Sequence, residues 1–115
     1  MDKNVLDVED FMERVQGDRD LLLELLEIYQ QDYTGKRKAL GEAVAQKNAE
    51  EIKNTAHALK GASGNISAKK MHATCLHIEQ KAKDNSFDGL EALLAQLDQE
   101  YLELKTNMTE LKANP

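Results

Sequence analysis

Apolar residues recur along most of this chain at spacings of three and four, the period of a helix with one buried face. The cleanest run is C-terminal: Phe87, Leu90, Leu94, Leu97, Tyr101, Leu104, Met108 and Leu111 alternate the two spacings without a slip. That is the a/d rhythm of supercoiled helices. A homodimeric coiled coil would produce it, and so would one helix of an antiparallel bundle. The bundle is favoured, because three further amphipathic helices need partners and the expected connections are short.

Those helices follow from the same pattern. Val5, Leu6, Val8, Phe11, Met12 and Val15 predict a short accessory helix over about residues 5–16, a lid closed by Gly17 and restarted by Asp18 as an N-cap. Leu22, Leu25, Leu26, Tyr29 and Tyr33 form the stripe of a second helix, which Leu40 and Val44 continue past an expected kink at Thr34 and Gly35. Asn48 and Glu51 make a capping-box-like start for a third, with Ile52, Ala56, Leu59, Ser63 and Ile66 inside and an end near Asn65. Ser67 is expected to cap a fourth that buries Met71, Thr74, Cys75, Ile78 and Ala82, and Ser86 to cap the fifth. The expectation is all-α: an antiparallel up-down four-helix bundle over about 18–112 behind the accessory helix, one domain across 1–115.

Composition agrees. A chain of 115 residues suits one hydrophobic core, and Leu, Ala, Glu, Lys and Gln dominate while aromatics reach only 4%. A formal charge of −6 argues against nucleic acid, which demands a basic field. The lone Cys75 allows no internal disulfide, which suits a reducing cytoplasm, and packing is its expected role. No basic-then-apolar leader and no long apolar run is present, so neither secretion nor membrane spanning is expected. His72 and His77 are five apart, nearly opposite on a helix, and are expected to be surface residues rather than metal ligands.

The segment TAHALKGASGN, residues 55–65, carries the unusual chemistry. With Ile52 at zero and about 100° per residue, the inner stripe clusters within about 40° of the core direction. His57 then falls near 140°, Gly61 near 180° and Gly64 near 120°, flanked by Lys53, Lys60 and Asn54. Each glycine costs roughly 1 kcal/mol against alanine inside a helix. Pointing outward, the two glycines instead leave clearance for another macromolecule to approach the imidazole. Lys60, three residues on, can place an ammonium beside an anion on the ring, and neutral imidazole is a competent nucleophile. Histidine, cation and cleared approach suit transient phosphorylation.

These residues resemble the histidine phosphotransfer (HPt) domain, with its H-x-L-K-G, following small residues, an apolar-Gly pair and a later C-x-x-[LI]-E. The match is His57, Leu59, Lys60, Gly61, Ala62, Ser63 and Ile66, then Cys75, Ile78 and Glu79. Ser67 departs from it, standing where glycine is usual, and Met71 stands where leucine is common.

The resemblance implies a phosphoryl carrier between receiver-domain aspartates of a two-component phosphorelay. It makes His57 the acceptor, Lys60 the lysine near the phosphoryl group, Gly61 the clearance for the partner, and Glu79 a hydrogen-bond acceptor for the ring. Receiver domains or a hybrid histidine kinase are the implied partners. Mg²⁺ is expected on the receiver and no cofactor here, because no acidic cluster, P-loop or kinase glycine loop appears. A monomeric, non-enzymatic carrier is expected, with Lys53, Lys60, Lys69 and Lys70 biasing the histidine end positively. Leu6, Val8, Phe11, Met12, Leu21 and Leu25 are the candidate receiver-docking patch. The alternatives are the phosphoacceptor domain of a chemotaxis-type or hybrid kinase, and a non-catalytic helical interaction bundle.

Overall fold

Each amphipathic stretch becomes a helix in the computed structural model, which describes residues 2–113. In chain order these are α1 (Val8–Arg14), α2 (Arg19–Ala45), α3 (Ala49–Asn65), α4 (Lys69–Lys83) and α5 (Leu90–Ala113). Three starts carry side-chain caps: Asp7 accepts from the Asp10 amide, Asp18 from that of Leu21 and Asn48 from that of Glu51. Among the described residues there is no strand, and no helix is long and apolar enough to cross a membrane.

The inner stripes meet in one core. Leu26, Leu40, Leu59, Ile78, Leu97 and Leu104 are all fully buried, each stabilising the fold by about 1.5–3 kcal/mol relative to exposure. α2 and α4 each touch both α3 and α5, so the four long helices form a ring. Arg19 donates to the Leu111 carbonyl, while Arg37, further along α2, forms a two-bond ion pair with Asp98 at 2.7 and 2.9 Å. The molecule is elongated, 44 × 21 × 21 Å.

α1 lies over the turn between α3 and α4, as a lid should. Leu6 and Phe11 are buried with Val5 and Val15, the Asp7 amide donates to the Ser67 carbonyl, and the Lys70 amide donates to that of Asn4. Asp7 also pairs with Lys69 at 2.7 Å. The Lys69 ammonium and the Asp10 amide hold the Asp7 carboxyl below the usual range.

Several boundaries differ from the periodic expectation. α1 is shorter than 5–16, because Val5 and Leu6 reach the core from a turn that precedes it. α2 runs through Thr34 and Gly35 without a break: Tyr33 and Leu40 anchor it on either side, and one exposed glycine is too small a penalty to interrupt it. α5 begins at Leu90 rather than at Ser86, after Gly89 turns the chain with φ +80°. Phe87 packs on the core from outside the helix, and Tyr101 is half-buried, stacked 4.0 Å from Tyr33.

Ser67 does not cap α4. Its φ is +61°, the left-handed region that favours glycine, and Ala68 occupies the cap position with no side-chain bond. The Ser67 hydroxyl instead donates to Asp10 at 2.6 Å, tying the turn to the lid and offsetting part of the backbone strain.

Candidate functional site

His57 stands in the middle of α3 with its side chain 66% exposed, and α4 supplies its partner from below. Nδ1 lies 2.7 Å from Oε2 of Glu79, a residue almost wholly buried. The other carboxylate oxygen, Oε1, accepts from Lys60 Nζ at 2.7 Å. One carboxylate therefore holds both residues.

Burial pushes the Glu79 carboxyl up, but the Lys60 ammonium and the His57 ring outweigh it and hold the group below the usual glutamate range. An ionised carboxylate can only accept, so Nδ1 donates to Glu79, and in the neutral ring this leaves the lone pair on Nε2. The arrangement orients the ring, turns Nε2 away from Glu79 and sets the Lys60 ammonium on the same carboxylate.

A Cβ added at Gly61 would meet nothing within 4 Å, so the approach along that line is open. Gly64 differs from its sequence expectation: a Cβ there would come 3.1 Å from Nδ1 of His72, so its space is filled from α4 rather than left to a partner. Asn54 is exposed, and Lys53 is half-buried in an ion pair with Glu50. The expected positive bias is narrower than four lysines, because Lys69 pairs with Asp7 and Lys70 with Asp2 and Glu103.

His72 is half-buried and hydrogen-bonded, not a free surface residue, whereas His77 is exposed. Cys75 is buried, its thiol pushed up to about 12 by burial, which leaves it a packing residue. Among the described residues no group of three or more His, Cys, Asp or Glu side chains could hold a metal ion.

The family model of the Hpt domain matches residues 24–113, which contain His57, Lys60, Gly61 and Glu79. The chain belongs to the Hpt domain family. Its function is histidine phosphotransfer in a two-component phosphorelay, and Hpt domains are phosphoryl carriers. Two solved structures share the fold. Histidine-containing phosphotransfer protein B from Pseudomonas aeruginosa PAO1 is 22% identical with TM-score 0.79, over 100% of this chain and 96% of that one. The Hpt domain of a hybrid sensor histidine kinase from Shewanella is 19% identical with TM-score 0.82, over 99% and 98%. No curated protein matches the chain.

Beside this site, α2 of the Hpt domain carries exposed apolar side chains. Leu21, Leu25 and Ile28 are spaced by four and three, forming a second stripe at the edge of the core: Leu25 packs against it, while Leu21 is 38% and Ile28 53% exposed. With Tyr29, Asp32, Ala62, Asn65 and Ile66, Leu25 and Ile28 line a groove of about 270 Å³ between α2 and α3. Of the six expected patch residues, Leu6 and Phe11 are 1% exposed and belong to the core, because the lid needs them to close the bundle. Val8, Met12 and Leu25 are half-buried and Leu21 is exposed.

Three site residues escaped sequence reasoning. Ile28 was legible as the third member of the Leu21 stripe. Lys83, with Nζ 3.9 Å from Glu79 Oε2, was legible as a cation four residues after Glu79 on a helix. His72 gave no such signal, since its partner belongs to another helix.

Proposed function

We propose that His57 is the phosphoacceptor and that Nε2 is its reacting atom. The Nε2 lone pair attacks phosphorus of a receiver aspartyl phosphate in line. The N–P bond forms, the bond from phosphorus to the aspartyl oxygen breaks, and the aspartate leaves as a carboxylate. Throughout, Nδ1 keeps its proton on Glu79. Reversal onto a second receiver aspartate completes the carriage, with no nucleotide bound by this chain.

The hydrogen bond from His57 Nδ1 to Glu79 Oε2 carries this reading, since it orients the ring and leaves one nitrogen free. Lys60 neutralises phosphoryl charge, and Lys83 adds a second ammonium from α4. The receiver supplies the Mg²⁺. It docks on the α2 stripe and the groove beside Ala62, while Gly61, flanked by Asn54, leaves its backbone room to reach the ring. The contacts of Arg19 with Leu111, Tyr29 with Ser63 and Thr74 with Glu100 support an antiparallel up-down arrangement of the four long helices. We read the domain as monomeric and cytoplasmic.

The test is transfer from a phosphorylated receiver to wild-type protein and to His57→Gln. Acid-labile, alkali-resistant label is expected on the wild type and none on the variant, with helicity unchanged. Equal labelling of the two removes the assignment.

A further inference from the structure

Glu79 controls the His57 ring only while α4 keeps its axial position against α3, and a second polar contact between the same two helices guards that position. His72 Nδ1 lies 3.0 Å from the backbone carbonyl of Lys60. A carbonyl only accepts, so His72 donates through Nδ1. A helix carbonyl already takes its own helix's bond from the amide four residues on, and its second lone pair is what an outside donor can use.

Gly64 is the space for this contact. Its missing side chain lets the His72 ring lie where a methyl group would stand 3.1 Å from Nδ1. The ring thus fits a notch one turn beyond Lys60 and bonds the backbone at Lys60 itself. On α4, His72 and Glu79 are seven residues apart, two turns, and share one face. One face of α4 therefore grips α3 at two successive turns: Glu79 holds the side chains of His57 and Lys60, and His72 holds the Lys60 carbonyl from the notch at Gly64.

Resting on the proposed role of His57, we propose that His72, seated in the Gly64 notch, is a positioning residue for phosphotransfer: it fixes the register of α4 against α3 that places the Glu79 carboxylate under the His57 ring. His72 touches neither the phosphoryl group nor the partner. Its effect reaches the reaction through the ring proton on His57 Nδ1. Glu79 bonds both His57 and Lys60 within one carboxylate, so a shift of α4 by a fraction of a turn breaks the pair together.

The experiment compares full-length wild type, His72→Ala, His72→Asn and Gly64→Ala. The asparagine amide can donate from near the position of Nδ1, and Gly64→Ala displaces the ring without removing it. Ring ¹⁵N spectra report the His57 tautomer, and transfer from a phosphorylated receiver gives kcat and KM. His72→Ala and Gly64→Ala are expected to replace the single Nδ1–H form of His57 with a mixture. Transfer kcat should fall about fivefold while KM for the receiver holds, the size expected of one lost hydrogen bond. His72→Asn should restore both.

A wild-type ring spectrum and rate in His72→Ala would overturn the proposal. So would a defect that His72→Asn leaves uncorrected, because the residue would then serve packing alone. If His72→Ala does not fold, His72→Asn and Gly64→Ala decide by the same two readouts. Absence of label on wild-type His57 would instead defeat the acceptor assignment, and the ring spectra would still test the register.

Discussion

The two flanks of α3 are built of different material. Toward α4 the seam is polar and locked: Glu79 bonds His57 and Lys60, Lys83 stands nearby, and His72 fills the notch at Gly64. Toward α2 it is apolar and open, with Leu25, Ile28 and Ala62 around a groove and Tyr29 reaching across to Ser63 at 2.8 Å beneath it. His57 and Gly61 lie on the ridge between. The α4 flank fixes one atom to within a hydrogen bond, whereas the α2 flank offers non-directional surface for a visiting protein. On the proposed reading, chemistry and docking are separable on one helix, and each should break without the other.

The largest effect is expected on the locked flank. Glu79→Ala frees the His57 ring and leaves Lys60 without its carboxylate, so transfer kcat should fall about 10- to 100-fold, as expected for hydrogen bonds to a charged group. Receiver KM should change little. Glu79→Gln adds a pH signature. The folded Glu79 carboxyl lies below its usual range, so its contribution to stability is complete above the ordinary glutamate range and lost as pH falls through the lowered value. The thermal-stability advantage of wild type over Glu79→Gln should therefore shrink on acidification in that window. An advantage independent of pH between 2 and 7, where roughly all glutamates titrate, would mean that Glu79 is not held ionised by its two partners.

On the open flank the effect should be smaller and of the other kind. Ile28→Asp places a charge on the most exposed apolar member of the groove, and about a tenfold rise in KM for the phosphorylated receiver is expected with kcat held. Folding stability should stay within about 0.5 kcal/mol, since the side chain is outside the core. Labelling by a small phosphodonor such as phosphoramidate should not change. A fall in that labelling would place Ile28 with the chemistry rather than the docking surface.

How far these flanks were legible beforehand depends on whether the signal was local. The inner stripe of α3, its Asn48 cap and the outward face of His57 and Gly61 all follow from 3.6-residue periodicity within one helix, and the structure agrees with each. Glu79 came from the family pattern rather than from spacing. Leu6 and Phe11 were misplaced because periodicity says that a residue is apolar, not which surface claims it, and the lid claimed both. Gly64 and His72 could be understood only together: 120° on a helical wheel looks outward until a second helix puts an imidazole there. Ser67 likewise looked like an ordinary cap, yet it occupies a left-handed position held by a lid residue 57 positions earlier.

The smallest predicted effect separates clearance from accident. Gly35 and Gly61 are both helical, exposed and free of neighbours, since a Cβ at either would meet nothing within 4 Å. Replacing either by alanine should therefore stabilise the fold by about 1 kcal/mol, raising Tm by about 4 °C. Structure alone gives no reason for the two to differ. They differ in what approaches them: Gly35 lies on α2 beyond Tyr33, Gly61 one turn past the reactive ring. Gly61→Ala should slow receiver transfer measurably, and a larger side chain such as leucine should slow it further, while both keep the added helical stability. Gly35→Ala should leave transfer unchanged. If both alanine variants gain stability and both transfer at the wild-type rate, the open face at Gly61 serves no partner. A defect confined to Gly61 would instead mark it as a position where helix stability is forgone so that another protein's backbone can come close.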